Sequence, residues 1–207
     1  MAKLHFHYSV MNAGKTTRLL QAQHNYVENG RRVMLFTSAV DDRDGIGRIS
    51  SRMGLCAEAT PLRPGDDLHA QVVRAHALHP VTAVLMDEVQ FMTPAHIRQA
   101  ARVADELDVL VMAYGLKNNV FGELFGPAVH TLLALADDIT EIEQLCHCGR
   151  KATMILRYDR DGFAVKSGNV VEVGGDDRYV SVCRPHWGAG EIGESRRAGL
   201  VPPAVAA

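Results

Sequence analysis

What this chain of 207 residues lacks narrows the field first. No apolar run approaches the roughly 20 residues of a membrane-spanning helix. The longest, Val81 to Met86 and Val109 to Tyr114, have strand length. The opening residues, Met1 to Tyr8, lack the apolar stretch of a secretory leader, so the expectation is a cytoplasmic protein. Cysteine is scarce at four residues, too few for a disulfide framework in a reducing compartment. No Cys-X-X-Cys occurs, which argues against a redox dithiol. Basic excess is missing too: 22 Lys plus Arg against 24 Asp plus Glu give a net charge of −2. That balance argues against sequence-independent nucleic-acid binding. Internal repeats and low-complexity blocks are absent. What is present, 47% hydrophobic and 22% charged residues, is an ordinary globular composition. It predicts one domain, or one plus a small appendage.

Periodicity supplies the elements. Strands are expected at Leu4 to Tyr8, Arg32 to Thr37, Val81 to Met86, Val109 to Tyr114 and Asp138 to Leu145. Helices are expected from Gly14 to about Asn29, from Asp66 to Leu78, from Pro94 to about Leu107 behind a Thr93 cap, and over Val129 to Ala136. Asp41 to Arg52 reads as flexible loop. Continuously apolar strands alternating with helices predict an α/β fold, a mostly parallel sheet with helices on both faces. After Leu145 helical patterns give way to glycine and short strands (Thr153 to Tyr158, Tyr179 to Cys183), so a boundary is expected near 140–145. The chain after about Arg197 reads as a frayed tail.

Between the first strand and first helix stands Ser9-Val10-Met11-Asn12-Ala13-Gly14-Lys15-Thr16-Thr17. A phosphate loop reads Gly, four residues, Gly-Lys-Ser/Thr; here Ser9 takes the place of the first glycine. Gly14 lets backbone approach phosphate oxygens, Lys15 supplies a point charge, and the Thr16 hydroxyl suits Mg²⁺. Asp87-Glu88 ends the apolar strand Ala83 to Met86, on the side of a parallel sheet where ligands bind. One carboxylate there suits a magnesium ion and the other a base acting on a hydroxyl or water. Gln90 and Phe91 follow, an amide that can pair with a nucleobase and a ring that can stack on it, at what reads as a helix entry.

Cys146-His147-Cys148-Gly149 and Cys183-Arg184-Pro185-His186 are two short-spaced ligand pairs. Cys146, Cys148, Cys183 and His186 fit a structural Zn²⁺ site of Cys₃His type, with His147 able to compete as a ligand. Cys56 stands alone and reads as an inert small hydrophobe.

The order of these motifs resembles the bacterial branch of the type II thymidine kinases, from about residue 3 to 190. Carrying the resemblance are the phosphate loop with Tyr8, Asp41-Asp42-Arg43, Ser51-Arg52, Asp87-Glu88-Val89-Gln90-Phe91, Tyr114-Gly115-Leu116, Gly122-Glu123-Leu124-Phe125, Cys146 to Lys151 and Gly174 to His186. It implies a RecA-like phosphate-loop kinase domain over 1–142, a zinc-binding domain with a lasso loop over 143–192, and a tail over 193–207. It further implies transfer of the γ-phosphoryl of ATP to the 5′ hydroxyl of thymidine or deoxyuridine. Glu88 matches the general base, with Lys15 and Arg43 assisting. ATP is expected on residues 9–16 and 87–90. Thr16, Asp87 and Asp41 are expected near Mg²⁺. The nucleoside would meet Met11, Phe91, Val120 and Phe125, and the lasso residues Val170, Val171, Glu172, Val173, Gly174 and Tyr179. A homotetramer and feedback inhibition by thymidine triphosphate are implied as well. Two rivals stand beside this reading: a nucleic-acid-stimulated ATPase and a non-catalytic nucleotide sensor.

One stretch departs from the pattern. Where most bacterial relatives have Phe-Arg before Gly-Glu-Leu-Phe, this chain has Val120-Phe121. A thinner or shifted pocket wall follows. Val120→Phe should therefore change the ratio of turnover between thymidine and bulkier 5-substituted deoxyuridines, and identical ratios in the two proteins would rule the idea out.

Overall fold

The computed structural model describes residues 1–40, 45–170 and 178–194. The chain divides into two compact units. The first comprises Met1–Ser9, Gly14–Lys117 and Leu124–Ile142. The second comprises Val10–Ala13, Asn118–Glu123 and the chain from Glu143 onward, so two short loops group with residues far along the sequence.

The first unit is built on six parallel strands: β1 (Leu4–Ser9), β2 (Val33–Ser38), β5 (Thr60–Leu62), β6 (Ala83–Met86), β7 (Leu110–Leu116) and β8 (Asp138–Glu141), in the spatial order β5-β2-β6-β7-β1-β8. Successive strand residues point to opposite faces. One face carries Leu4, Phe6, Phe36, Val84, Met86, Val111 and Ala113, which form the main core with α2 (Leu68–Leu78), α3 (Pro94–Leu107) and α4 (Pro127–Leu135). Against the other face lies α1 (Lys15–Glu28), burying Leu19 and Leu20. There His7 feels the Arg18 charge of α1 and stacks on Tyr114, ring centroids 4.7 Å apart. β6, with all four residues buried, is the continuous apolar strand the sequence predicts.

Local signals set the helix ends. Asp67 caps α2 by accepting the Ala70 N–H at 2.9 Å. Thr93 and His96 cap each other at the start of α3, with Pro94 at its first position. The His96 ring accepts from the Thr93 N–H, so its other nitrogen carries the proton that reaches the Asp66 carbonyl at 3.1 Å.

Three expectations need correction. Inside the segment read as loop, β3 (Arg48–Ser50) pairs antiparallel with β4 (Cys56–Glu58); strands of three residues are too short to show periodicity. Cys56 on β4 is exposed, with the Arg48 guanidinium 3.2 Å from its sulfur, so it is no core hydrophobe. The chain after Leu145 does carry a helix, α5 (Arg184–Ala189), besides the antiparallel pair β9 (Met154–Arg157) and β10 (Tyr179–Val182). At six residues α5 spans under two turns, too few to show a repeat. Among the described residues no helix is long and apolar enough to cross a membrane.

Candidate active site and metal cluster

In the first unit the residues singled out from sequence gather at the carboxyl ends of β1, β6 and β7. Ser9 ends β1 with its hydroxyl buried and donating to the Ile142 carbonyl. It thus ties the strand end to the residue just past β8. Gly14, in the left-handed region at φ 81°, opens α1. α1 starts without a side-chain cap, unlike α2 and α3, and has no acidic residue in its first turn. Such a helix start suits an anion, because backbone N–H groups and the positive end of the helix dipole converge there.

Lys15 and Thr16, the first residues of α1, reach the end of β6. The Thr16 hydroxyl donates to the Asp87 carboxylate, and the Lys15 charge acts on the same group. Asp87 is 3% exposed. Burial pushes its carboxyl up to about 7, and the neighbouring Glu88 charge pushes the same way. The Thr16 hydroxyl, the Glu88 N–H and Lys15 oppose that rise. A buried carboxylate and a hydroxyl in contact, beside a lysine, make a donor set suited to a divalent cation bearing phosphates.

Glu88 adopts a left-handed backbone, φ 51° and ψ 40°, a conformation uncommon for non-glycine residues and worth attention in a cleft. Its N–H donates to Asp87 Oδ1 at 3.0 Å and its carbonyl accepts from the Phe91 N–H at 3.0 Å. Beyond it, Val89–Phe91 form a single 3₁₀ turn rather than the entry of an α-helix. The Val89 side chain is fully buried in the core. Gln90 donates through Nε2 to a Glu88 carboxylate oxygen and accepts the Leu116 N–H at 3.0 Å. Phe91 meets Phe125 edge-on, centroids 5.3 Å apart and planes at 85°. Asp41 and Arg43 lie outside the described residues.

The second unit holds the remaining candidates. The Met11 carbonyl accepts from the Ser181 hydroxyl at 2.7 Å, and the Asn12 carbonyl from the Gln144 amide at 2.6 Å. Val120 is buried, and its carbonyl accepts the Trp187 indole N–H at 3.1 Å. At Gly122 a Cβ would come within 3.0 Å of the Trp187 ring, so a side chain there would crowd the same contact. Phe121 lies near the Arg157 guanidinium, 5.9 Å from ring centroid. Tyr179 is buried on β10, opposite Arg157 of β9. The Arg157 guanidinium also donates to the Asn169 carbonyl at 2.5 Å and the Ser167 carbonyl at 3.2 Å, holding the chain that leads to the half-buried Val170. Val171, Glu172, Val173 and Gly174 lie outside the described residues.

Cys146, Cys148, Cys183 and His186 bring three sulfurs and a ring nitrogen within 4.8 Å of one another. Cys148 and Cys183 sulfurs are 3.9 Å apart, and His186 Nδ1 is 3.3 Å from Cys146 and 3.5 Å from Cys183. A tetrahedral Zn²⁺ with ordinary bond lengths requires sulfur–sulfur edges of about 3.8 Å and sulfur–nitrogen edges of about 3.6 Å. The four groups fit that ion. Burial raises the Cys146 thiol, yet the Cys148 N–H, the His186 ring and the Cys183 N–H outweigh it and bring it down to about 6. Behind the cluster, His186 Nε2 lies 3.5 Å from a Glu191 carboxylate oxygen, the partner that orients a metal-binding imidazole. His147 stacks on His186 at 4.2 Å.

Sequence reasoning missed Ser181, Gln144, Trp187 and Glu191. Each acts through one hydrogen bond or ion pair to a residue distant in sequence or across a turn. The Pro185 two residues after Cys183 was a visible signal for α5, since proline favours a helix start.

Comparison with known proteins adds to this geometry. A family model described as thymidine kinase matches residues 2–187. A thymidine kinase of Agrobacterium fabrum is 52% identical over 187 residues, 90% of this chain and 96% of the relative. One of Ruegeria pomeroyi is 52% identical over 187 residues, 90% and 94% of the two chains. One of Rhizobium meliloti is 50% identical over 189 residues, 90% and 96%.

The buried Asp87 gives a pH dependence with a definite sign. A carboxyl raised from 3.8 to about 7 keeps its proton in the fold where the unfolded chain has lost it. Folding stability therefore falls as pH rises through that interval and levels off above it. In protein free of nucleotide and metal, Asp87→Asn should raise the thermal midpoint at pH 8 and change it little at pH 4. Equal shifts at both values would contradict the burial argument.

Proposed function

The chain belongs to the thymidine kinase family, and on that premise we propose that it transfers the γ-phosphoryl group of ATP to the 5′ hydroxyl of thymidine, and of deoxyuridine. The observation that supports this most is the meeting of Lys15, Thr16 and buried Asp87 at the end of β6, with Glu88 as the next residue.

Residues 9–16 and 87–89 take the triphosphate; Gln90, grouped with them from sequence, has its side-chain amide engaged by Glu88 and Leu116 instead. The uncapped start of α1 and the Lys15 ammonium face its negative charge. Thr16 and Asp87 would hold Mg²⁺, which would supply positive charge against the phosphates. Glu88 accepts the proton of the 5′ hydroxyl as its oxygen attacks the γ phosphorus and the bond to ADP breaks. Arg43 assists this transfer, and Asp41 adds to the cation site. Phe91 and Phe125, with Met11, Val120, Tyr179 and residues 170–174, bind the nucleoside. The kinase domain is 1–142 and the zinc-binding domain 143–192. Zinc on Cys146, Cys148, Cys183 and His186 is structural, since four protein ligands leave no open position. The same reading includes a cytoplasmic homotetramer inhibited by thymidine triphosphate.

Kinetics test the transfer reaction, and metal analysis tests the zinc site. ATP consumption with each of the four deoxynucleosides and deoxyuridine should be supported by thymidine and deoxyuridine; hydrolysis indifferent to every nucleoside would contradict the reading. Glu88→Gln should keep ATP affinity and lower turnover by at least about 10²-fold. For the metal, elemental analysis should find one zinc per chain. Chelation should shift the emission of Trp187, the chain's single tryptophan, because it follows His186 on α5. Cys183→Ser should give that shift without chelator, and unchanged emission in both cases would separate α5 from the cluster.

A further inference from the structure

Gln90 sits one 3₁₀ turn beyond Glu88 and is 5% exposed. Its side-chain amide is engaged at both ends. Oε1 accepts the backbone N–H of Leu116, the last residue of β7. That partner is an obligatory donor, so the orientation of the amide is not open: the oxygen faces β7 and Nε2 faces the Glu88 carboxylate. β7 lies between β1, which leads into the phosphate loop, and β6, which leads into Asp87 and Glu88. The amide therefore spans from the middle strand of this trio to the acidic side chain.

Space for it depends on Gly115. A Cβ at that position would lie 2.6 Å from Gln90 Oε1 and 2.7 Å from a Val89 methyl. Contacts under 3.0 Å force a shift, and here Val89 is fully buried and cannot retreat. The absence of a side chain at 115 is what lets the amide reach the Leu116 N–H. The 3₁₀ turn itself is fixed by Val89 in the core and by the Met92 N–H donating to the Val89 carbonyl at 3.1 Å.

We propose that Gln90 is a positioning residue that aims the Glu88 carboxylate, braced on the backbone of β7 through a gap kept open by Gly115. This rests on the reading of Glu88 as the base. A neutral amide suits the task. It restrains one carboxylate oxygen and adds no charge to a site that already holds Asp87. With both amide ends held inside the protein, Gln90 acts on the reaction through Glu88 and not by gripping the nucleotide.

The test compares steady-state kinetics and ATP binding for Gln90→Leu, Gln90→Glu, Glu88→Gln and the double variant Glu88→Gln with Gln90→Leu. Gln90→Leu removes both bonds. Gln90→Glu keeps an acceptor for the Leu116 N–H but puts a carboxyl in place of the neutral donor to Glu88, so it tests the neutral amide with the packing volume kept. Both should lower kcat by roughly 10- to 10²-fold, the scale of a misplaced reacting group, with the ATP dissociation constant within about twofold of wild type. In the Glu88→Gln background, Gln90→Leu should cost little further, since a residue that acts through another has nothing left to act on. Wild-type kcat in both Gln90 variants, alongside a large loss in Glu88→Gln, would overturn the positioning role alone. Additive losses in the double variant, or weakened ATP binding at unchanged kcat, would overturn it in favour of packing or nucleotide contact. Near-normal turnover in Glu88→Gln would remove the base assignment and the positioning role together.

Discussion

Thr16 and Lys15, at the start of α1, act together on the buried Asp87 carboxylate at the end of β6 and so join the two. The first unit is arranged around that junction. An acidic group this far from water is costly unless hydrogen bonds and opposite charge compensate it. Here the compensation comes from Thr16, from the Glu88 N–H and from Lys15, three groups on either side of the same crevice. Those groups are available only if α1 begins immediately beyond β1 and β6 stops at Met86. The parallel register provides this: Ser9 pairs with Leu116 on one side of β7, and Met86 with Ala113 on the other. Strand order, loop length and burial thus converge on one carboxylate. Its pKa, raised to about 7, shows that burial and the Glu88 charge outweigh this compensation, as expected where a cation belongs.

The second unit is stabilised differently. β9 and β10 have four residues each, and α5 has six. Helices so short are marginal by themselves, and a small module of this kind ordinarily needs a metal or a staple. The four-ligand cluster gathers both ends of the segment from Cys146 to His186 and sets the N-terminus of α5 on Cys183. From α5, Trp187 holds the Val120 carbonyl, and from β10, Ser181 holds the Met11 carbonyl. Two loops distant in sequence are thereby fastened to elements that the cluster orders. A metal on this cluster would thus serve its own module and, through Trp187 and Ser181, the loops 10–13 and 118–123.

Much of this was legible in the sequence because its cause is local. The continuous apolar run of β6, the Thr93-Pro94 helix start and the Gly-Lys-Thr at α1 each follow from residues within a few positions. The gathering of Cys146, Cys148, Cys183 and His186 was legible because zinc chemistry constrains both residue type and spacing. What stayed hidden depends on contacts between distant positions. β5 is three residues long and exists because β2 offers it an edge. Cys56 resembles a core residue by composition, yet it lies exposed on a two-stranded antiparallel pair. The use of Gly115 is invisible until Gln90 is placed beside it. Sequence reading had assigned Gln90 to a nucleobase or nucleotide because nothing local reveals that its amide is already taken.

The left-handed backbone of Glu88 carries the argument one step further. A non-glycine residue in that region costs on the order of 1–3 kcal/mol, and a glycine or asparagine would suit the turn better. Three hydrogen bonds offset the cost: Asp87 Oδ1 on its N–H, the Phe91 N–H on its carbonyl and the Gln90 amide on its carboxylate. At about 1 kcal/mol net apiece they are of the right size to hold the conformation without making it deeply stable. Two of the three act on the main chain and would serve any residue. The third acts on the carboxylate itself, so it explains why this position carries a glutamate and not merely why the turn exists. A side chain held at its tip, on a backbone held at both ends, has little freedom left to lose when a hydroxyl arrives. That is the condition under which a proton acceptor contributes most to a transition state, because its orientation is set before the reaction begins.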